Sequence, residues 1–216
     1  MFATQEQGGA GRDQRRRADE LVRALAGAWK VTCDDAQVGA LSSYAESLLR
    51  WNARINLTAA RSIDRLIADH FPDAFALARR VEGEARAVDV GSGGGLPAIP
   101  LALLRPRLSI ELCEPIAKKA AFLRTAVREL GLSARVSVRA VRGEAIAKEI
   151  AGGARAFDVA LSRATLAPEK WLALGARLVR PGGWVFVLAA ADALPEVSER
   201  ERYFEGRRAL ITVVCR

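Results

Sequence analysis

The stretch Asp89-Val90-Gly91-Ser92-Gly93-Gly94-Gly95-Leu96-Pro97 carries the residue types and spacing most suited to chemistry. An acid stands two residues before the first glycine, and three more glycines follow. Glycines at this density let a chain turn tightly and let a ligand come close to the backbone. Val88 and Val90 suit a strand buried on both faces, and Pro97 suits the start of a helix. Such a strand, turn and helix offer backbone N–H groups to a polar ligand. A dinucleotide fingerprint counted from Gly91 requires a third glycine at 96, where this chain has Leu96.

The pattern Asp-x-Gly-x-Gly-x-Gly looks like motif I of class I methyltransferases, in which S-adenosylmethionine lies over the loop. Asp89, Gly91, Gly93 and Leu96 are therefore candidate cofactor-binding residues. Glu114 follows about 20 residues later at the end of a second predicted strand, where an acid accepts hydrogen bonds from a ribose diol. Both NAD and S-adenosylmethionine present such hydroxyls, so Glu114 alone does not choose. Gly143-Glu144 follows a third strand, at the position expected to flank an adenine. Ser162-Arg163-Ala164 follows a fourth. A guanidinium there donates well to a guanine edge or a phosphate, which makes Arg163 the candidate catalytic residue. His70 is the only histidine. It reads as a polar tie between a helical region and a loop rather than as a base.

The elements that must position these residues follow from periodicity. Residues 1–17 read as a flexible tail, with Gly8, Gly9 and Gly11 ahead of Arg15-Arg16-Arg17. Residues 18–80 read as a helical region. Asp34 or Asp35 caps one helix, Ser62 caps another, and Pro72 is expected to kink or break it. From 81 to 216 strands and helices alternate. Strands are predicted at 86–90, 108–113, 135–140, 157–161, 184–189 and 209–214, with Pro181-Gly182-Gly183 turning the chain into the fifth. The expected architecture is a Rossmann-like α/β fold, a mostly parallel sheet with helices on both faces and a helical N-terminal extension. Its functional loops then gather at the carboxyl ends of the strands.

Composition narrows the partners. Lys and Arg number 33 against 25 Asp and Glu, a formal charge of +8, and only five of the basic residues are lysines. The excess favours a polyanion, with RNA foremost, although a GC-rich genome also produces arginine at this frequency. Cys33, Cys113 and Cys215 are too scattered for a zinc knuckle or a disulfide framework. No apolar run reaches membrane-spanning length. A cytoplasmic, metal-free monomer is the expectation.

Trp51-Asn52 with Ile55-Asn56-Leu57-Thr58, then His70 and Asp73, then the glycine turn with Ile99-Pro100-Leu101-Ala102, resemble the RsmG family, also called glucose-inhibited division protein B. Lys118-Lys119 with Phe122-Leu123-Arg124 fit the same resemblance. So do Ser162-Arg163-Ala164 and Pro181-Gly182-Gly183. It spans roughly residues 35–190 and implies methylation of a guanine N7 in 16S ribosomal RNA, with S-adenosylmethionine as donor and the RNA or small ribosomal subunit as partner. It assigns Gly91, Leu96, Gly143, Glu144 and Arg163 to cofactor contact. The chain departs from the family where Val187-Leu188-Ala189-Ala190 lacks a lysine and where Ala98 replaces a glycine. The short stretch from Asp192 to Gly206 also predicts a shortened or missing C-terminal helix. A non-catalytic RNA-binding relative and a nicotinamide oxidoreductase are the rival readings.

Overall fold

The computed structural model describes the backbone of residues 3–163, 166–190, 200–203 and 208–214, and the side chains of 11–163 and 166–188. Ala164 and Cys215 lie outside the described residues. Three helices come first: α1 (Ala3–Trp29), α2 (Asp35–Asn52) and α3 (Ile63–Ala78). Then strands and helices alternate through β1 (Ala85–Val90), α4 (Ala98–Leu104), β2 (Leu108–Cys113), α5 (Ala117–Glu129), β3 (Val136–Arg139), α6 (Gly143–Ala151), β4 (Phe157–Arg163), α7 (Pro168–Gly175) and β5 (Val179–Ala190). Two further strands, β6 (Arg200–Tyr203) and β7 (Arg208–Val214), complete the sheet.

The strand order is β3-β2-β1-β4-β5-β7-β6. The first five strands run parallel, β7 adds antiparallel to β5, and β6 adds antiparallel to β7. The order reverses between β1 and β4, and a crevice opens at the carboxyl ends of strands at such a point. Val88 and Val90 pack with Phe157, Trp171 and Leu174 on the α6–α7 face. Ala87 joins the opposite core, where α1, α2 and α3 share one apolar cluster with α4 and α5.

Three expectations are corrected. The stretch 1–17 is no loose tail, because α1 is helical from Ala3. Its glycines lower local helix propensity, but tertiary anchors outweigh them. Ala18 and Val22 are buried, and Arg15 donates to the Gly39 carbonyl at 2.7 Å and pairs with Glu46 at 3.2 Å. Pro72 does not end α3. Phe71, Phe75 and Leu77 are fully buried around it, and that burial offsets the roughly 3 kcal/mol an interior proline costs. Pro181-Gly182-Gly183 lies inside β5 as an irregularity, where pairing with β4 jumps from Phe157↔Val179 to Val159↔Trp184. A Cβ on Gly183 would come within 2.8 Å of the Arg180 carbonyl and of Val179, so only glycine fits that fold-back. Part of the stretch from Asp192 to Gly206 forms β6; the rest of that expected helix loss lies outside the described residues.

Candidate cofactor site at the β1–β4 switch point

The glycine turn sits at the carboxyl end of β1 and is held from three sides. The backbone N–H groups of Gly91 and Ser92 donate to the Cys113 carbonyl, at 2.8 and 3.2 Å. The Gly93 N–H donates to Glu114 Oε2 at 2.8 Å. Tyr44 of α2 is fully buried and donates its hydroxyl to the Gly94 carbonyl at 2.5 Å. Gly91, Gly93 and Gly95 have φ of 76°, 56° and 82°, in the left-handed region that side chains rarely adopt. A Cβ at Gly95 would lie 2.6 Å from Ile99 Cδ1. At Gly93 the nearest atom would be the Gly91 carbonyl oxygen, 3.8 Å away, so that side of the turn is open.

The N-terminal helices build part of the site. Asn52, at the end of α2, is a buried hub. Its Oδ1 accepts from the Leu57 and Thr58 N–H groups, and its Nδ2 donates to the Thr58 and Ala60 carbonyls. The loop so fixed lays Leu57 against the turn, since a Cβ on Gly94 would be 3.3 Å from the Leu57 carbonyl. Thr58 Oγ1 lies 2.9 Å from His70 Nε2. Arg163 Nη1 donates to His70 Nδ1 at 3.0 Å and to Asp73 Oδ2 at 3.1 Å. A guanidinium has no acceptor, so the imidazole is neutral at Nδ1 and carries its proton on Nε2. His70 thus ties the helical region to the sheet. Arg163 is a partly buried ion-pair residue, not a surface one: its side chain is 23 % exposed and that of Asp73 1 %.

Asp89 lies beneath the turn, 1 % exposed, and its Oδ2 has no hydrogen-bond partner. Burial pushes its pKa from 3.8 up to about 7, while a hydrogen bond from Ser92 and the Arg163 charge pull the other way. An orphaned buried carboxylate oxygen costs free energy unless something outside the protein satisfies it. Glu114 is also buried; each carboxylate oxygen accepts one backbone N–H, from Gly93 and from Ile116, and retains a free lone-pair direction. Ile116 itself is 45 % exposed, an apolar face two residues past the acid that the sequence reading missed. Its Glu-Pro-Ile context was the available signal. Tyr44 was missed as well, because its period on α2 marks it only as a core residue.

Asp89, Gly91, Gly93, Glu114 and Arg163 converge at the switch point, and Ser162 closes it by donating to the Val90 carbonyl at 2.9 Å. Leu96 points into the core at 5 % exposure, so only its backbone is offered to a ligand. At Gly143 a Cβ would meet Val90 Cγ1 at 2.8 Å, so glycine is needed there for packing of α6 on β1. Glu144 is exposed in the first turn of α6. An open glycine turn, an orphaned carboxylate, a strand-end acid and an exposed apolar residue fit a ligand with a cationic group, a ribose and an aromatic ring. Burial holds the Cys33 and Cys113 thiols up at about 11 and about 12, which excludes either as a thiolate nucleophile at neutral pH. Among the described residues no group of three His, Cys, Asp or Glu side chains could hold a metal ion, and no helix is long and apolar enough to cross a membrane.

Residues 37–214 match the family model described as GidB, rRNA small subunit methyltransferase G. The chain belongs to the GidB family. A relative named ribosomal RNA small subunit methyltransferase G from Anaeromyxobacter dehalogenans is 42% identical over 74% of this chain and 72% of its own length. One of the same name from Geobacter sp. is 34% identical over 83% of this chain and 81% of its own length. Among solved structures, an O-methyltransferase from Bacillus cereus in complex with SAH superposes with a TM-score of 0.57, at 19% identity, over 81% of this chain and 91% of that one. That likeness places the GidB chain in the Rossmann-like methyltransferase fold. The nicotinamide reading loses its footing, since position 96 is a core leucine in a GidB-family turn.

Proposed function

We propose that this protein transfers the methyl group of S-adenosylmethionine to N7 of a guanine in 16S ribosomal RNA. The open, pinned glycine turn above the unpartnered Asp89 carries the cofactor part of this reading, and the names of the GidB relatives carry the RNA part. Glu114 would accept from the ribose hydroxyls, Ile116 and the start of α6 at Gly143-Glu144 would flank the adenine, and Asp89 would face the amino acid end. When bound, the cofactor supplies an electrophilic methyl on sulfur. Guanine N7 already carries a lone pair, so no side chain need remove a proton. The protein's task is alignment and exclusion of water, which a site with one neutral, engaged histidine can perform. Arg163 would act on the guanine O6 or a phosphate, leaving N7 free. Mapping N7-methylguanosine in 16S RNA from cells with and without the protein tests the reading; an unchanged map overturns it.

Two outcomes follow at the cofactor. Glu114→Ala is expected to weaken S-adenosylmethionine binding by roughly 1.5–3 kcal/mol, the range for charge-assisted hydrogen bonds. Isothermal calorimetry that gave an unchanged dissociation constant would place the ribose elsewhere. Asp89 makes the affinity depend on pH. Folding lifts its pKa from 3.8 to about 7, so the folded protein keeps a proton that the unfolded chain releases near pH 4. Stability therefore falls as pH rises from about 4 to about 7. A cationic group beside Asp89 favours the carboxylate and draws that pKa down. Binding below about pH 7 should then release a proton, and affinity should rise as pH approaches 7. Calorimetry in buffers of different ionisation heat measures this; the same proton release from Asp89→Asn would remove Asp89 from the linkage.

A further inference from the structure

The arginines of this chain divide by what they hold. Arg15, Arg16 and Arg17 each face a carboxylate: Asp19 and Glu46, Glu20, and Glu20 and Asp64 respectively. Arg86, Arg107 and Arg180, near the amino ends of the strands and so opposite the glycine turn, also hold acids, Glu111, Glu84 and Asp158. Like Arg124, Arg128, Arg142 and Arg177 elsewhere on the surface, Arg50, Arg54 and Arg61 are exposed and hold none among the described residues. All three surround the carboxyl end of α2, where Asn52 fixes the loop that presses Leu57 on the glycine turn.

That helix end is shaped as well as charged. On one side Arg50, Trp51 and Arg54 line a depression of about 210 Å3. On the other, Asn52, Asn56 and Arg61 line one of about 370 Å3. Trp51 is only partly buried, and its ring rests on Phe122 of α5 with centroids 5.6 Å apart. The indole is thus backed on one side and flanked by two cations. A ring held this way offers a stacking surface to a base, and the adjacent guanidinia offer charge to the phosphates on either side of it. A protein surface would match such a patch with carboxylates, but the paired indole and guanidinia suit an unstacked nucleotide better.

We propose that the carboxyl end of α2, with Trp51 between Arg50 and Arg54, docks a single-stranded segment of the RNA beside the target base. This rests on the ribosomal RNA reading above. It divides the work of the N-terminal extension: the buried side of α2 shapes the cofactor turn, and its exposed end grips the second substrate.

The test uses the full chain and 16S ribosomal RNA transcribed in vitro. The Arg50→Ala/Arg54→Ala variant should raise the dissociation constant for this RNA at least about tenfold at moderate salt. It should also flatten the dependence of log affinity on log salt by about 1.4, the slope for two phosphates on a single strand. Trp51→Leu keeps an apolar neighbour for Phe122 and should weaken RNA binding roughly fivefold or more. Arg16→Ala, which frees only a helix-surface pair, should leave the salt slope alone. In every variant the dissociation constant for S-adenosylmethionine should match the parent protein, and the loss should appear in KM for RNA rather than in kcat. A wild-type salt slope and RNA affinity in the double variant overturn the docking surface while leaving the proposed function standing. Parent protein that neither binds nor methylates 16S RNA overturns both.

Discussion

Gly93→Val is expected to abolish S-adenosylmethionine binding in a protein that still folds. Gly93 has φ of 56°, and its N–H donates to Glu114 Oε2 at 2.8 Å. A β-branched residue is a steric outlier in that region, so the turn must relax or carry strain of at least about 1–2 kcal/mol. Relaxation draws the N–H away from Glu114. If the turn instead holds, the new side chain extends into open space, since the nearest atom to a Cβ there is 3.8 Å away. That open space is where a ligand would approach. Both routes remove the ligand, and neither touches the core. Gly95→Ala makes the contrast: its Cβ would meet Ile99 Cδ1 at 2.6 Å, so it should lower the melting temperature through packing strain. Calorimetry with a thermal melt separates the two. Near-normal affinity in a folded Gly93→Val protein would show that no ligand approaches over this glycine.

Much of this site could be read before the fold was known, for a physical reason. A turn that must take positive φ at three alternate positions is written most readily with glycine, so Gly91, Gly93 and Gly95 announce it. An acid at a strand end, Glu114, is equally hard to disguise, because Leu112 and Cys113 directly before it are apolar. What stayed hidden depends on contacts between residues far apart in the chain. Asp19 and Glu20 stand within one turn of these arginines, but nothing local in Arg15-Arg16-Arg17 says that Glu46 of α2 and Asp64 of α3 also hold Arg15 and Arg17, so the stretch looked like a loose basic tail. Nothing local in α3 says that Phe71 and Phe75 have enough burial to carry the helix past Pro72. Tyr44 has a core residue's period, and only its hydroxyl on the Gly94 carbonyl, 50 residues away, turns it into a support for the turn. The Trp51-Asn52 element stood out in the sequence, but its work appears only when Asn52 is seen to hold four backbone groups of the loop above the site.

Arg163→Lys is expected to keep the fold and to lower methyl transfer at least about tenfold. Arg163 ends β4 beside the switch point, close enough for its charge to act on both Asp89 and Tyr44. Its Nη1 serves His70 Nδ1 and Asp73 Oδ2 together, so two bonds fix the plane of the guanidinium. A lysine ammonium can still neutralise Asp73, which is 1 % exposed. It cannot reproduce the planar fork of a guanidinium. Alanine is the less informative change, since removing one partner of a buried ion pair costs about 3–5 kcal/mol and confuses activity with folding. The reading therefore rests on lysine, with thermal melting as the control for stability. Single-turnover methylation of 16S-containing subunits measures the chemical step, and calorimetry measures the cofactor. A tenfold slower turnover with an unchanged melt assigns the fork to the reaction. If cofactor affinity falls with it, Arg163 contacts the cofactor; if affinity holds, the loss belongs to the guanine or its phosphate. Full single-turnover rate in Arg163→Lys would leave Arg163 only the task of joining β4 to α3.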